Sequence, residues 1–263
     1  MDLDDTLLRS DLTISYRAKS AIKKAEDSGV KVVLASGRVP AAMESYARAL
    51  GMRRRLGYVI CGNGTIIQET LAGKTCFEAT IPPKQALVAF DLADAEGFPV
   101  QIHEAGVLYV SRSNEYTEYD EKLTGLSQIV VENFRAMVSG GCHKLLIPGD
   151  PMLLAPLQAL FAAYLGEEIT LFTSKPYFLE VLPAGVDKGS ALARVAGLLG
   201  IRREEVLAVG DSMNDEAMLR WAGIGVAMAN GDERIKAIAD FVSERTNDDD
   251  GIVEIIDRFV LSG

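Results

Sequence analysis

Apolar residues recur at helical spacing early in the chain. Ala18, Ala21, Ile22 and Ala25 share one face, which predicts a helix over 16–28 with Ser15 as N-cap and Gly29 as its stop. The β-branched run 30–35 reads as a buried strand. A second helix starts at Pro40, aligns Met43, Tyr46, Ala47 and Leu50, and stops at Gly51; 58–61 is the next strand. The last third repeats this grammar: a helix over 188–199, a strand at 206–209, a helix from about Asn214 and a strand at 224–228. Strands alternating with helices imply parallel βαβ units, so both ends of the chain read as α/β.

The middle is different. Between Pro82 and Gly185 the pattern predicts a helix (83–96), two strands (99–103 and 106–111), a polar helical stretch (114–123), a strand (143–148), a helix (152–165) and two more strands (169–174 and 177–183). Strands joined by short connections pair antiparallel, which makes this segment α+β. The expected organisation is one α/β domain, 1–81 and 186–263, interrupted by an inserted domain, 82–185.

Composition narrows the class. The 263 residues, 48% of them hydrophobic, can bury a core, and the net charge of −10 argues against a nucleic-acid partner. No segment has the run of about 18 or more apolar residues that a membrane span needs, and the acidic N-terminus is unlike a signal peptide. Three cysteines without a Cys-x-x-Cys pair suggest neither a disulfide framework nor a zinc site. The expectation is a reduced, cytoplasmic protein, monomeric or weakly homo-oligomeric.

Four short signals carry the chemistry. Asp2-Leu3-Asp4-Asp5-Thr6 places two carboxylates at i and i+2, and Ser36-Gly37-Arg38 follows the first full strand. Lys188 opens a helix, and Gly210-Asp211-Ser212-Met213-Asn214-Asp215 follows another strand. Ligands of open parallel sheets bind beyond the carboxyl ends of the strands, where these segments would converge. Clustered carboxylates repel unless a cation sits among them, and an all-oxygen set favours Mg²⁺ over zinc. A hydroxyl and a lysine nearby would complete a phosphate cradle. One aspartate can serve as a nucleophile and another as general acid.

These motifs, in this order, resemble the haloacid dehalogenase (HAD) superfamily, in particular Cof-type phosphatases with a large α+β cap inserted in a Rossmann-like core. Cys61-Gly62-Asn63-Gly64 and the segment 247–251 add to the likeness. The resemblance implies a Mg²⁺-dependent phosphomonoesterase acting on small phosphorylated metabolites, sugar phosphates among them. It implies Asp2 as the transiently phosphorylated nucleophile and Asp4 as acid/base and, through its carbonyl, metal ligand. It further implies Thr6 as an orienting residue near the phosphate site, Ser36, Gly37 and Lys188 as phosphate-binding, with Lys188 also catalytic through the environment of Asp2, Asn214 near the phosphate, and Asp2, Asp4, Asp211 and Asp215 as the metal set, Asp215 also supporting Asp211 or Lys188. Asn63 is expected to line the path of the substrate, and Lys144 with the strands around it to select the leaving group. A phosphomutase, a phosphorylated receiver and a non-catalytic binding relative are the alternatives.

Two departures stand out. Asp5 occupies a position where the family usually has glycine, and aspartate is among the better tolerated substitutes there. Only Met1 precedes Asp2, where the family has a buried strand; losing its apolar side chains would remove roughly 5–12 kcal/mol. The expectation is that the natural chain starts upstream or that another segment fills the gap. The acidic stretch 246–257 only partly mimics a calcium loop and reads as a solvated turn.

Overall fold

In the computed structural model, which describes residues 1–261, the first helix begins where its capping signal sits. Ser15 accepts a hydrogen bond from the N–H of Ala18 at 2.9 Å, and α1 runs Tyr16–Asp27. Then follow β1 (Val33–Ala35), α2 (Pro40–Ala49), β2 (Tyr58–Cys61), β3 (Ile66–Glu69) and β4 (Thr75–Glu78). The middle contributes α3 (Pro83–Ala95), β5 (Gln101–Glu104), β6 (Val107–Val110), α4 (Glu115–Thr124), β7 (Ser127–Val130) and α5 (Phe134–Val138). It continues with β8 (Leu145–Pro148), α6 (Pro151–Leu165), β9 (Ile169–Lys175) and β10 (Phe178–Pro183). The chain closes with α7 (Lys188–Leu199), β11 (Leu207–Gly210), α8 (Glu216–Trp221), β12 (Ile224–Ala227), α9 (Glu233–Lys236), β13 (Phe241–Val242) and α10 (Gly251–Ile256). Residues 262 and 263, part of the core segment expected to run to 263, lie outside the described residues.

Two compact units result. The first joins Met1–Phe77 to the segment from Asp187 onward; the second is Glu78–Val186. In the first unit β1 pairs parallel with β2, β2 antiparallel with β3, and β11, β12 and β13 pair parallel with one another. Met1 and Asp2 join these two sheets. Asp2 bridges Ala35 in parallel, its N–H donates to Val209 O at 2.9 Å, and the Ala35 N–H donates to Met1 O at 2.9 Å. Two residues thus do the hydrogen bonding of a central strand, but only at its C-terminal end. The strand expected over 30–35 is paired only from Val33, whose first partner in β2 is Tyr58. Ile22, Leu34, Ile252 and Ile255 pack one face of the sheet, and Ile60, Val195, Met218 and Leu219 the other, giving three layers.

The second unit is a six-stranded sheet in the order β7-β6-β5-β8-β10-β9, antiparallel except for the β6–β7 pair. Phe90, Phe134, Leu157 and Phe161 from its helices pack against Ile147, Leu179 and Val181 of the strands. The other side of the sheet carries buried polar groups. Asp120 of α4 accepts from Gln101 and contacts His103 Nε2 at 2.8 Å, and Lys144 pairs with Glu180 at 2.9 Å. The strand β7 and the helix α5 carry no periodicity strong enough to have been expected from the sequence.

Candidate active site

The predicted site residues of the first unit gather beyond the carboxyl ends of its parallel strands. The Met1–Asp2 stub delivers Asp2 and then turns sharply. Leu8 N–H donates to Leu3 O at 2.8 Å, and Asp5 sits at φ 59, the left-handed region that favours glycine. The departure at Asp5 is therefore accommodated by a residue type that tolerates this conformation. From β1 the chain passes into Ser36-Gly37-Arg38, from β2 into Gly62–Gly64, and from β11 into Asp211.

Lys188 is the hub. It is the first residue of α7, whose N-cap Asp187 accepts from Ser190 N–H at 2.7 Å. A cation at a helix N-terminus is electrostatically unfavourable, and two carboxylates compensate for it. Lys188 Nζ donates to Asp2 Oδ1 and to Asp215 Oδ1, each at 2.6 Å, with all three side chains buried. Burial opposes the ammonium charge, but Asp2 and Asp215 outweigh it and hold Lys188 above its ordinary range. The Asp2 carboxyl is raised, first by burial and then by the charge of Asp215, against the pull of Lys188.

Asp215 is anchored from the other side. Its Oδ2 accepts from the N–H groups of Asp211 and Ser212 at 3.0 and 3.1 Å. With three bonds accepted, it has about one lone-pair site left for a cation. Gly210 must be glycine: a Cβ there would lie 2.5 Å from Asp215 Cβ. Thr6, expected near the phosphate, is fully buried and donates to Asp211 Oδ1 at 2.8 Å. It orients a carboxylate and is out of reach of solvent.

Asp2, Asp211 and Asp215 each offer an oxygen within 4.8 Å of the others. Three carboxylates against one ammonium leave a formal excess of negative charge in a buried place, which a hard divalent cation fits. The Asp4 side chain stands apart. Arg38 grips it with two bonds, Nε to Oδ2 at 2.8 Å and Nη2 to Oδ1 at 2.5 Å, and Asp4 stays partly exposed. Its side chain is not among the carboxylates that cluster among the described residues.

The remaining residues form the rim. Ser36 is buried, with Oγ accepting from Arg38 N–H at 3.2 Å. Asn214 donates from Nδ2 to Asn63 Oδ1 at 3.1 Å. Asn63 was expected to line a substrate path; instead it is fully buried, at φ 56, and packs against Gly37, whose Cβ would come within 3.0 Å of it. It props the Ser36–Gly37 turn. The stretch 246–257 is not a solvated turn either. Asp248 accepts from Ser10 N–H at 2.8 Å, buried Asp250 pairs with Arg9 at 3.1 Å, and Asn247 Nδ2 donates to Leu8 O at 2.8 Å. This segment staples the end of the Asp2–Thr6 loop. Arg38 stands in one of the four motifs, but nothing in the sequence links it to Asp4; the signal is its place directly after a strand end.

Among the described residues no helix is long and apolar enough to cross a membrane. A family model for haloacid dehalogenase-like hydrolases matches residues 1–256. A haloacid dehalogenase-like hydrolase from Bacteroides thetaiotaomicron is 32% identical, with a TM-score of 0.85, covering 98% of this chain and 97% of that one. The phosphatase YwpJ of Bacillus subtilis (strain 168) is 29% identical over 97% of both chains. The 5-amino-6-(5-phospho-D-ribitylamino)uracil phosphatase YcsE of the same organism is 28% identical, over 99% of this chain and 94% of its own. The chain belongs to the haloacid dehalogenase-like hydrolases and is a phosphatase of that superfamily.

Proposed function

We propose that this phosphatase hydrolyses phosphomonoesters of small metabolites, sugar phosphates among them, in a Mg²⁺-dependent reaction through an aspartyl-phosphate. The observation that carries the reading is the contrast between two carboxylates two residues apart. Asp2 is buried against an ammonium, with further carboxylates beside it, whereas Asp4 is partly exposed and held by a guanidinium. Such a pair suits a nucleophile and an acid/base. The relative YcsE, whose name specifies a phosphorylated ribityl compound, lies within the proposed substrate class.

In this reading an oxygen of Asp2 attacks phosphorus, and the leaving alkoxide takes a proton from Asp4. Asp4 then accepts a proton from the water that attacks the aspartyl-phosphate, releasing inorganic phosphate and restoring Asp2. To do so Asp4 turns away from Arg38. The Ser36 hydroxyl and the Gly37 turn bind phosphate oxygens together with Lys188, and Asn214 stands beside them. Mg²⁺, when bound, would supply the positive charge that lets a phosphate dianion approach. Asp2, Asp211 and the Asp4 carbonyl would hold it, with Asp215 and Thr6 fixing the set from behind. Residues 82–185 are proposed as the cap, with Lys144 as a specificity residue.

The test is hydrolysis of an aryl phosphate with Mg²⁺ by the parent and by Asp2→Asn, followed by a metabolite panel read as free phosphate. Asp2→Asn should abolish turnover, and chelation should silence the parent. Near-normal turnover by Asp2→Asn would overturn the nucleophile assignment. Transfer to a sugar without phosphate release would make the protein a phosphomutase.

A further inference from the structure

The most apolar helix of the second unit does not bury all that it offers. α6 turns Leu154, Leu157, Phe161 and Leu165 into the core of its unit, which uses one face. The opposite face is as apolar. At steps of three and four residues, Met152, Ala155, Ala159 and Ala163 form an exposed ridge along it, with Leu153 and Tyr164 beside them. Met152 is 81% exposed, Tyr164 68% and Leu153 57%. A surface helix ordinarily sets charged side chains opposite its buried face. α6 has none in its 15 residues, in a chain of which 24% is charged. Its one amide, Gln158, sits beside the buried face and accepts from the Thr173 hydroxyl at 3.3 Å.

The exposed arc presents roughly 600 Å² of apolar surface, the upper end of what monomeric proteins leave open. Two such patches face to face would bury about 1,200 Å² in all, which reaches the lower bound of specific interfaces.

What covers the face follows from its charge. Across a two-fold axis a surface meets itself, so any charge on it would oppose its own copy; a face without charge escapes that penalty. A membrane is a poorer match. Helices that lie on bilayers carry Lys and Arg on their polar side, whereas α6 is bounded by exposed acids, Asp150 before its start and Glu167 and Glu168 beyond its end. We infer that α6 is the seat of a symmetric homodimer, in which the α6 helices of two copies pack antiparallel, ridge against ridge. Antiparallel pairing opposes the helix dipoles favourably, and the alanines let the axes approach to about 8 Å. With the two-fold axis between Ala155 and Ala159, Met152 of one copy lies near Ala163 of the other, a large side chain over a small one. The inference is independent of the reaction assigned above.

The test is sedimentation velocity of the whole protein between about 1 and 200 μM. The mean mass should climb from that of one chain toward that of two, with half association on the order of 10 μM, as suits an interface of this size. Ala159→Arg puts two cations beside the axis and should raise the dissociation constant at least about tenfold. At about 1 μM, its Tm and its hydrolysis of an aryl phosphate should match those of the parent. Ala159→Glu should behave in the same way. Mixed in equal amounts, the two variants should associate again, because opposite charges then meet across the axis. A parent still monomeric at about 200 μM would overturn the proposal, whether or not it floats with phosphatidylcholine vesicles. So would a dimer that neither variant weakens, or a mixture of the two that stays monomeric.

Discussion

Lys188→Met isolates the energetic centre of the site. The substitution keeps an unbranched side chain one atom shorter and removes a charge that sits 2.6 Å from both Asp2 Oδ1 and Asp215 Oδ1, with no access to solvent. Each charge-assisted bond is worth about 1.5–3 kcal/mol, and breaking a buried ion pair costs about 3–5 kcal/mol because the partner charge is stranded. The lower figure applies where a carboxylate can escape by taking up a proton. A loss of about 4 kcal/mol, at about 2–4 °C per kcal/mol for a chain of this size, lowers Tm by about 8–16 °C.

The loss depends on pH with a defined sign. Burial and the charge of Asp215 raise the Asp2 carboxyl, and Lys188 opposes them. Without Lys188 only the raising influences remain, so the folded variant holds a proton on Asp2 that the unfolded chain has released. Its stability therefore falls as pH rises above about 4, and the deficit against the parent is larger at pH 8 than at pH 5. Both proteins are compared by thermal unfolding in EDTA, since a bound divalent cation would replace the missing charge. Lys188→Met/Asp215→Asn, which removes one stranded carboxylate, should be more stable than the sum of the single losses. A Lys188→Met Tm within about 2 °C of the parent at pH 8, or strict additivity in the double variant, would refute the reasoning.

Three further outcomes follow from single contacts. Thr6→Val removes the donor to Asp211 Oδ1; it should weaken Mg²⁺ affinity about 10–100-fold, read by titration calorimetry, with a smaller effect on Tm. Gly210→Ala drives a Cβ to 2.5 Å from Asp215 Cβ and should cost Tm and activity together, whereas Gly197→Ala, with open space around its Cβ, should be neutral or slightly stabilising by thermal unfolding. At pH 8 a thiol reagent should label the exposed Cys76 alone. Burial pushes both Cys61 and Cys142 up to about 12, so they stay protonated until unfolding, and stability should decline as pH rises above 9.

What could be read in advance was whatever is written locally. Ser15 and Asp187 announce their helices because a capping side chain bonds to a backbone three residues away. Asp2, Ser36 and Asp211 could be brought together because strand direction alone places them at one end of the sheet. The misses have one cause: a partner far away in the chain. Residues 30–32 have every local mark of a strand, but pairing makes a strand, and the pairing of β1 with β2 begins only at Val33 and Tyr58. The stretch around Asp248 and Asp250 has the charge density of a solvated turn, and it is tied to Ser10 and Arg9 instead, more than two hundred residues away in sequence.

The same distinction explains how one motif gives two kinds of aspartate. Asp2 and Asp4 have identical side chains, and spacing by two would put both on one face of an extended strand. The strand stops at Asp2, however, and the chain leaves the sheet from Leu3, whose carbonyl accepts from the Leu8 N–H as the loop closes. Asp2 is left at the sheet end, where Lys188 and the carboxylates of Asp211 and Asp215 converge. Asp4 is carried to the rim, where Arg38 is the available cation. The loop thus separates a buried carboxylate, whose charge must be balanced within the protein, from one near water that can exchange protons. That separation is a property of the loop backbone from Leu3 onward, and it would survive conservative changes at either aspartate.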